Sequence, residues 1–251
     1  MKLLFFDIDG TLTTRFYVPE STRIALDMTR KKGNKVIITT GRVLSYAKSH
    51  FDDLCDGYIC FNGRYGELDG QVLYDHPFTK EEANSYKQRV LDEGASLALY
   101  TMNHGYYYGR EEDYELAKEM WDEGYITKSE SITDPIYSFD VLFKDDETFN
   151  KLESFEDVLF SRHGPRRSAD TTFYNHNKGT AMVAFAKALG VDLDDTYAFG
   201  DGINDLLMFQ SAGHSIAMGN ARDALKKQAD FVTTSIDNHG IRNGLKHYEL
   251  I

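Results

Sequence analysis

Lys2-Leu3-Leu4-Phe5-Phe6-Asp7-Ile8-Asp9-Gly10-Thr11-Leu12 decides how the rest of this chain is read. Four apolar residues run straight into two aspartates. A short all-apolar run reads as a strand buried on both faces, as in a parallel sheet. In open α/β sheets, ligands gather where such strands end. Asp7 and Asp9 stand two residues apart, so an extended backbone aims both side chains the same way. Like charges side by side persist when a cation lies between them or when one keeps a proton. A lone Asp-x-Asp is commonly a solvated turn. Here Gly10-Thr11 follows at once, and three more polar clusters stand downstream.

The first of these ends a second strand. Pro19 and Gly33 bracket a helix from Glu20 to Lys32, by the usual start and stop asymmetry. Lys35 to Thr39 then reads as a buried strand running into Thr40-Gly41-Arg42. Thr40 alone suits an N-cap. A hydroxyl with free N–H groups at a strand-to-helix turn also suits phosphate. Gly57 to Phe61 is a third strand, ending in Asn62-Gly63, where Asn62 reads as a turn residue. Asp69-Gly70 between Tyr65–Leu68 and Val72–Tyr74 signals a hairpin. Late in the chain, Asn177-Lys178-Gly179-Thr180 opens a helix that stops at Gly190. A cation near a helix N-terminus is disfavoured by about 0.3–1 kcal/mol, so Lys178 calls for solvent or an anion. Thr196 to Phe199 is another buried strand, followed by Gly200-Asp201-Gly202-Ile203-Asn204-Asp205. Aspartate and asparagine oxygens are hard ligands suited to Mg2+, and no His or Cys stands near to suggest zinc.

Between these parts the pattern changes. Thr79-Lys80-Glu81-Glu82 is a capping box for a helix ending before Gly94. Leu97, Leu99, Tyr106 and Tyr108, then Ile136 to Phe143, alternate like half-exposed antiparallel strands. Helical stretches lie between, around Glu111–Asp122 and Asp146–Glu153. This is an α+β pattern inserted into an α/β chain. Tyr106, Tyr107, Tyr108 and Trp121 read as packing residues of a small sheet. Arg162 to Arg167 reads as a solvated basic turn, with Arg166 or Arg167 as candidates to reach an anionic part of a substrate.

Composition narrows the partners. The chain has 251 residues, 41% of them apolar, enough for a large core and a smaller domain. A formal net charge of −12 argues against nucleic acid or an anionic membrane. No apolar stretch approaches the ~20 residues of a membrane helix, and Met1–Phe6 is too short for a signal peptide. Cys55 and Cys60 read as buried thiols rather than a disulfide or metal pair. The expectation is a cytoplasmic protein, a monomer or small homo-oligomer, acting on a small molecule.

Asp7-Ile8-Asp9-Gly10-Thr11-Leu12 resembles the first motif of the haloacid dehalogenase superfamily of phosphotransferases. Thr40-Gly41-Arg42, Lys178 and Gly200–Asp205 are similar to its second, third and fourth motifs. Met208, Ala212-Gly213, Ala217–Ala221 and Ala229–Thr233 extend the likeness to the Cof-type sugar phosphatases. Ile236 and His239-Gly240-Ile241 depart from that branch's usual tail. The resemblance implies a Rossmann-like α/β core over residues 1–78 and 175–251, with an α+β cap over 79–174. It implies a Mg2+-dependent phosphatase for small phosphorylated metabolites. Asp7 would be the nucleophile, forming an aspartyl-phosphate, and Asp9 the general acid and base. Thr40, the Gly41 and Arg42 backbone, and Lys178 would hold phosphate. Asp7, Asp201 and the Asp9 carbonyl would hold the metal, supported by Asn204 and Asp205. A phosphohexomutase or a non-enzymatic phosphoacceptor module are the rival readings.

Overall fold

Leu3, Leu4, Phe5 and Phe6 are all fully buried, as a strand covered by helices on both faces requires. The computed structural model describes residues 1–14, 17–120, 125–129, 131–164 and 166–251. Trp121, read above as a packing residue, and Pro165 of the basic turn lie outside them.

The chain begins with β1 (Leu3–Phe6), α1 (Glu20–Lys31), β2 (Lys35–Thr39), α2 (Leu44–Phe51), β3 (Gly57–Cys60), β4 (Tyr65–Leu68) and β5 (Gln71–Asp75). A second body follows: α3 (Lys80–Asp92), β6 (Ser96–Tyr100), β7 (His104–Tyr108), α4 (Glu111–Met120), β8 (Tyr125–Lys128), β9 (Ser138–Leu142), α5 (Asp146–Leu152), β10 (Val158–Arg162) and β11 (Ser168–Phe173). The chain closes with α6 (Lys178–Leu189), β12 (Thr196–Gly200), α7 (Leu206–Ser211), β13 (His214–Ala217), α8 (Asp223–Lys226), β14 (Phe231–Val232) and α9 (Gly240–His247).

The first and last groups build one eight-stranded sheet in the order β14-β13-β12-β1-β2-β3-β4-β5. Pairing is parallel from β14 through β3, and the β4–β5 hairpin closes the edge antiparallel. The chain leaves β1 toward β2 and β3 and returns on the other side at β12. That reversal puts a crevice between neighbouring strand ends. Register levels them: Phe6 pairs with both Phe199 and Ile38. Asp7, Gly200 and Thr39 therefore emerge side by side.

The middle group builds a six-stranded sheet, β10-β11-β9-β6-β7-β8. It is antiparallel except for the β7–β8 pair. Leu97, Leu99, Phe139 and Val141 pack one face against Ala83 and Val90 of α3 and Phe149 and Leu152 of α5. Period-2 alternation puts Tyr100, Ser138, Asp140 and Asp170 on the other face. The sequence suggested half-exposed strands, but every residue of β6 and β9 is buried. The polar face looks onto the larger body instead of water.

The capping box at Thr79 forms, and Asn177 caps its helix in the same way. Thr79 Oγ1 accepts from Glu82 N, and Asn177 Oδ1 accepts from Gly179 N and Thr180 N. Cys55 and Cys60 are free and buried. Among the described residues no helix is long and apolar enough to cross a membrane.

Candidate active site

Asp7 continues β1 by one residue, its N–H donating to the Phe199 carbonyl. Its carboxylate is buried and accepts from Lys178 Nζ at 2.6 Å. The same ammonium reaches Asp205 Oδ1 at 2.6 Å and has no exposed surface. Lys178 is thus neither solvated nor solitary at its helix N-terminus. Burial alone would lower its pKa, but Asp205 and Asp7 outweigh that and raise it, so the ammonium stays charged.

The Gly200–Asp205 turn brings the other acids. The Asp201 carboxylate accepts from Thr11 Oγ1 at 2.8 Å. Gly10 sits opposite it with φ +87°, and any Cβ there would strike that carboxylate. Carboxylate oxygens of Asp7, Asp201 and Asp205 lie within 4.8 Å of one another. Burial, and then the neighbouring Asp205, pushes the Asp201 carboxyl up to about 7. Burial also holds Asp7 well above the ordinary carboxylate value despite Lys178. Three acids therefore share one ammonium. Hard oxygens crowded with too little positive charge fit a divalent cation of the Mg2+ class. Asp205 has less to offer directly. Its Oδ1 takes Lys178, and its Oδ2 accepts the N–H groups of Asp201 and Gly202, each at 3.0 Å.

Thr40 stands at the end of β2, buried. Its Oγ1 accepts the Arg42 N–H at 3.1 Å. The Arg42 main chain, expected to hold phosphate, is thus engaged within the turn. The Arg42 guanidinium reaches the cleft instead and clasps Asp9 through Nε–Oδ2 at 2.7 Å and Nη2–Oδ1 at 2.9 Å. Asp9, with its side chain 57% exposed, sits at the rim. Asn204 lines the same cavity, and its Nδ2 donates to Asn62 Oδ1 at 3.4 Å.

The cavity, about 300 Å³, has a second wall, of which sequence reading had singled out only Arg166. Asp7, Asp9 and Thr40–Val43 face Tyr100, Asp140, His163, Arg166 and Asp170 of the smaller sheet. His163 Nε2 lies 2.6 Å from Asp170 Oδ1, and its Nδ1 lies 2.9 Å from Ser168 Oγ. Burial alone would lower the pKa of His163, but Asp170 reverses this and raises it, while His163 lowers that of Asp170. Asp140 is driven well up by burial and then by Asp170 beside it. The basic turn is therefore not wholly solvated: His163 and Arg166 face the cavity, whereas Arg167 Nη1 turns away to the Lys144 carbonyl. Tyr106 and Tyr107 pack in the sheet, as read: Tyr106 bonds Asp134 and Thr133, and the Tyr107 ring lies 5.1 Å from Tyr114. The departing tail still supports the site. The Ile236 N–H donates to Asn220 Oδ1 at 3.0 Å, and Asn220 Nδ2 to the Gly10 carbonyl at 2.8 Å. The main chain of residue 236 makes this contact, while the Ile236 side chain is buried in the core of the larger body.

Known proteins resemble this chain over nearly its whole length. Residues 4–245 match the family model of the haloacid dehalogenase-like hydrolases. The Bacillus subtilis (strain 168) phosphatase YwpJ is 28% identical over 98% of this chain and 99% of its own length. From the same organism, the 5-amino-6-(5-phospho-D-ribitylamino)uracil phosphatase YwtE is 29% identical over 96% of each chain. The solved structure of BT4131, described as a subclass IIB sugar phosphatase, superposes with a TM-score of 0.84 at 29% identity, covering 100% of both chains.

Proposed function

The chain belongs to the haloacid dehalogenase-like hydrolases and is a phosphoric monoester hydrolase, and from that premise we propose a Mg2+-dependent phosphatase that takes sugar phosphates or similar small metabolites. The reaction runs through an aspartyl-phosphate on Asp7. The observation that carries this reading is the buried contact of Lys178 with Asp7 at 2.6 Å, behind a cavity that Asp7 lines together with Asp9, Thr40 and Asn204.

Phosphoryl transfer needs an in-line nucleophile, charge neutralisation, and a proton for the leaving oxygen. An Asp7 carboxylate oxygen attacks phosphorus, and the bond to the leaving oxygen breaks. Asp9 gives that oxygen its proton, releasing the alcohol. Asp9 then takes a proton from water as the water oxygen attacks phosphorus, so phosphate departs and Asp7 regains its carboxylate. Lys178 and the Thr40 turn steady the phosphoryl group. Asp7, Asp201 and the Asp9 carbonyl would hold Mg2+, with Asn204 and Asp205 behind them. When bound, the ion neutralises the phosphoryl oxygens.

The smaller sheet serves as a cap, over residues 79–174 between core halves at 1–78 and 175–251. Its polar wall at Tyr100, Asp140, His163 and Asp170 takes the leaving group, and the cap opens and closes around each turnover to limit water. A panel of phosphorylated metabolites tests the reading by phosphate release. Hydrolysis of sugar or polyol phosphates in Mg2+, abolished by EDTA, is expected. Release unaffected by EDTA, or none from any member, contradicts it.

A further inference from the structure

The turn that ends β3 stands out in backbone and in contacts. Phe61 and Asn62 both adopt left-handed conformations, φ 55° and 50°, and Gly63 follows at 103°. Asparagine tolerates that region; phenylalanine is an outlier there. Such strain persists where the surroundings over-determine it, and it clusters at functional sites.

The surroundings here are the turns that build the site and one strand of the smaller sheet. The Asn62 N–H donates to the Thr40 carbonyl at 3.0 Å, and the Phe61 N–H to the Arg42 carbonyl at 3.1 Å. A Cβ on Gly41 would lie 3.0 Å from Asn62 Oδ1, and one on Gly63 would strike the Asn177 main chain beside Lys178. The Asn62 side chain, on a residue only 4% exposed, then spans two bodies. Its Nδ2 donates to the Thr171 carbonyl of β11 at 3.0 Å, and its Oδ1 accepts from Asn204 Nδ2 at 3.4 Å. Thr171 adjoins Asp170 of the cavity wall, and Asn204 belongs to the acidic turn. Next to it, the Phe61 ring stacks on Tyr137 at 4.9 Å, at the entrance to β9.

We propose that Asn62 is a positioning residue that couples the smaller sheet to the phosphate and acidic turns, so that closing the cap and assembling the site are one event. One amide does both tasks. Its donor end grips a cap strand, and its acceptor end holds Asn204. Neither task needs contact with substrate. This rests on the phosphatase reading above, in which the cap opens and closes around each turnover.

Two substitutions test the coupling. Asn62→Gly keeps the left-handed backbone and removes the amide. Asn62→Asp keeps the acceptor for Asn204 and loses the donor to Thr171. The probe is orthovanadate with Mg2+, and the readout is hydrogen exchange of the β11 amides beside steady-state kinetics on a sugar phosphate. In the wild-type protein, vanadate slows exchange along β11. In both variants that slowing is lost. Their kcat falls about tenfold, the scale of one hydrogen bond to a buried partner, while KM moves less than about twofold. Wild-type protection by vanadate together with unchanged kcat in the variants overturns the proposal. Loss of the folded state in both variants, seen in the melting transition, assigns Asn62 to the fold alone and overturns it too. A wild-type protein that releases no phosphate defeats the phosphatase reading instead, and the vanadate arm on β11 then stands apart from it.

Discussion

Lys178 Nζ stands 2.6 Å from Asp7 and from Asp205, fully buried. Two charges brought this deep hold together only while both signs are present. Removing one partner of a buried pair typically costs about 3–5 kcal/mol, because the other charge is left without compensation. Lys178→Met keeps much of the side chain's volume and strands two acids. We expect its melting temperature to fall by roughly 10 °C, with turnover lost, measured by calorimetry and phosphate release. An unchanged melting temperature would mean that the acids do not depend on this ammonium. Gly10 acts at the same scale by what it lacks, since its missing Cβ leaves room for the Asp201 carboxylate.

At the scale of elements, the polar face of the smaller sheet is the part with a readable pH signature. His163 of the β10–β11 turn meets Asp170 of β11, with Asp140 of β9 beside them and Arg166 on the same cavity wall. Asp170 raises His163 above its ordinary 6.5, so the pair's contribution to stability is full below that value and fades as pH rises through the folded value. His163 lowers Asp170, so on the acid side the contribution fades as pH falls from the ordinary carboxylate value through the lowered one. His163→Gln should therefore melt further below wild type at pH 6 than at pH 9. A gap that is constant or grows with pH would rule out a charged His163. Apart from Arg166, this wall was not legible in the sequence. Asp140, His163 and Asp170 belong to separate strands and a turn, and no spacing brings them together. Alternation in β6 and β9 was visible, but it could not tell a face covered by another body from one covered by water. The core strands were legible because all-apolar runs such as Leu3–Phe6 have few other uses. The acidic turn at Asp201–Asp205 was legible because it follows such a run. The Arg42 guanidinium on Asp9 was not, because side-chain reach is set by tertiary packing.

For the whole molecule, the question is how a chain of net charge −12 admits an anionic substrate. Local cations must exceed the global field where distances are short. Lys178 and Arg42 are both spent on carboxylates, which leaves Arg166 on the cavity wall and, in the proposed reading, a divalent cation to supply the excess. A ligand that binds only the folded chain stabilises it, by about 2.7 kcal/mol at a hundredfold excess over Kd. Mg2+ should accordingly raise the melting temperature by several degrees, and NaCl at matched ionic strength should not. Asp201→Asn should lose the Mg2+ shift. Equal shifts from both salts would reduce the effect to screening of the net charge.

The proposed reaction turns on Asp7 carrying the phosphoryl group in mid-reaction. Asp9→Asn keeps the nucleophile and slows the attack of water, and p-nitrophenyl phosphate needs little help in leaving. The decisive measurement is mass spectrometry of that variant, acid-quenched during incubation with p-nitrophenyl phosphate and Mg2+. A phosphoryl group on Asp7, absent when Asp7→Asn is added to the variant, is the predicted result. A phosphoryl group on another residue, or wild-type phosphate release by Asp7→Asn alone, would contradict it.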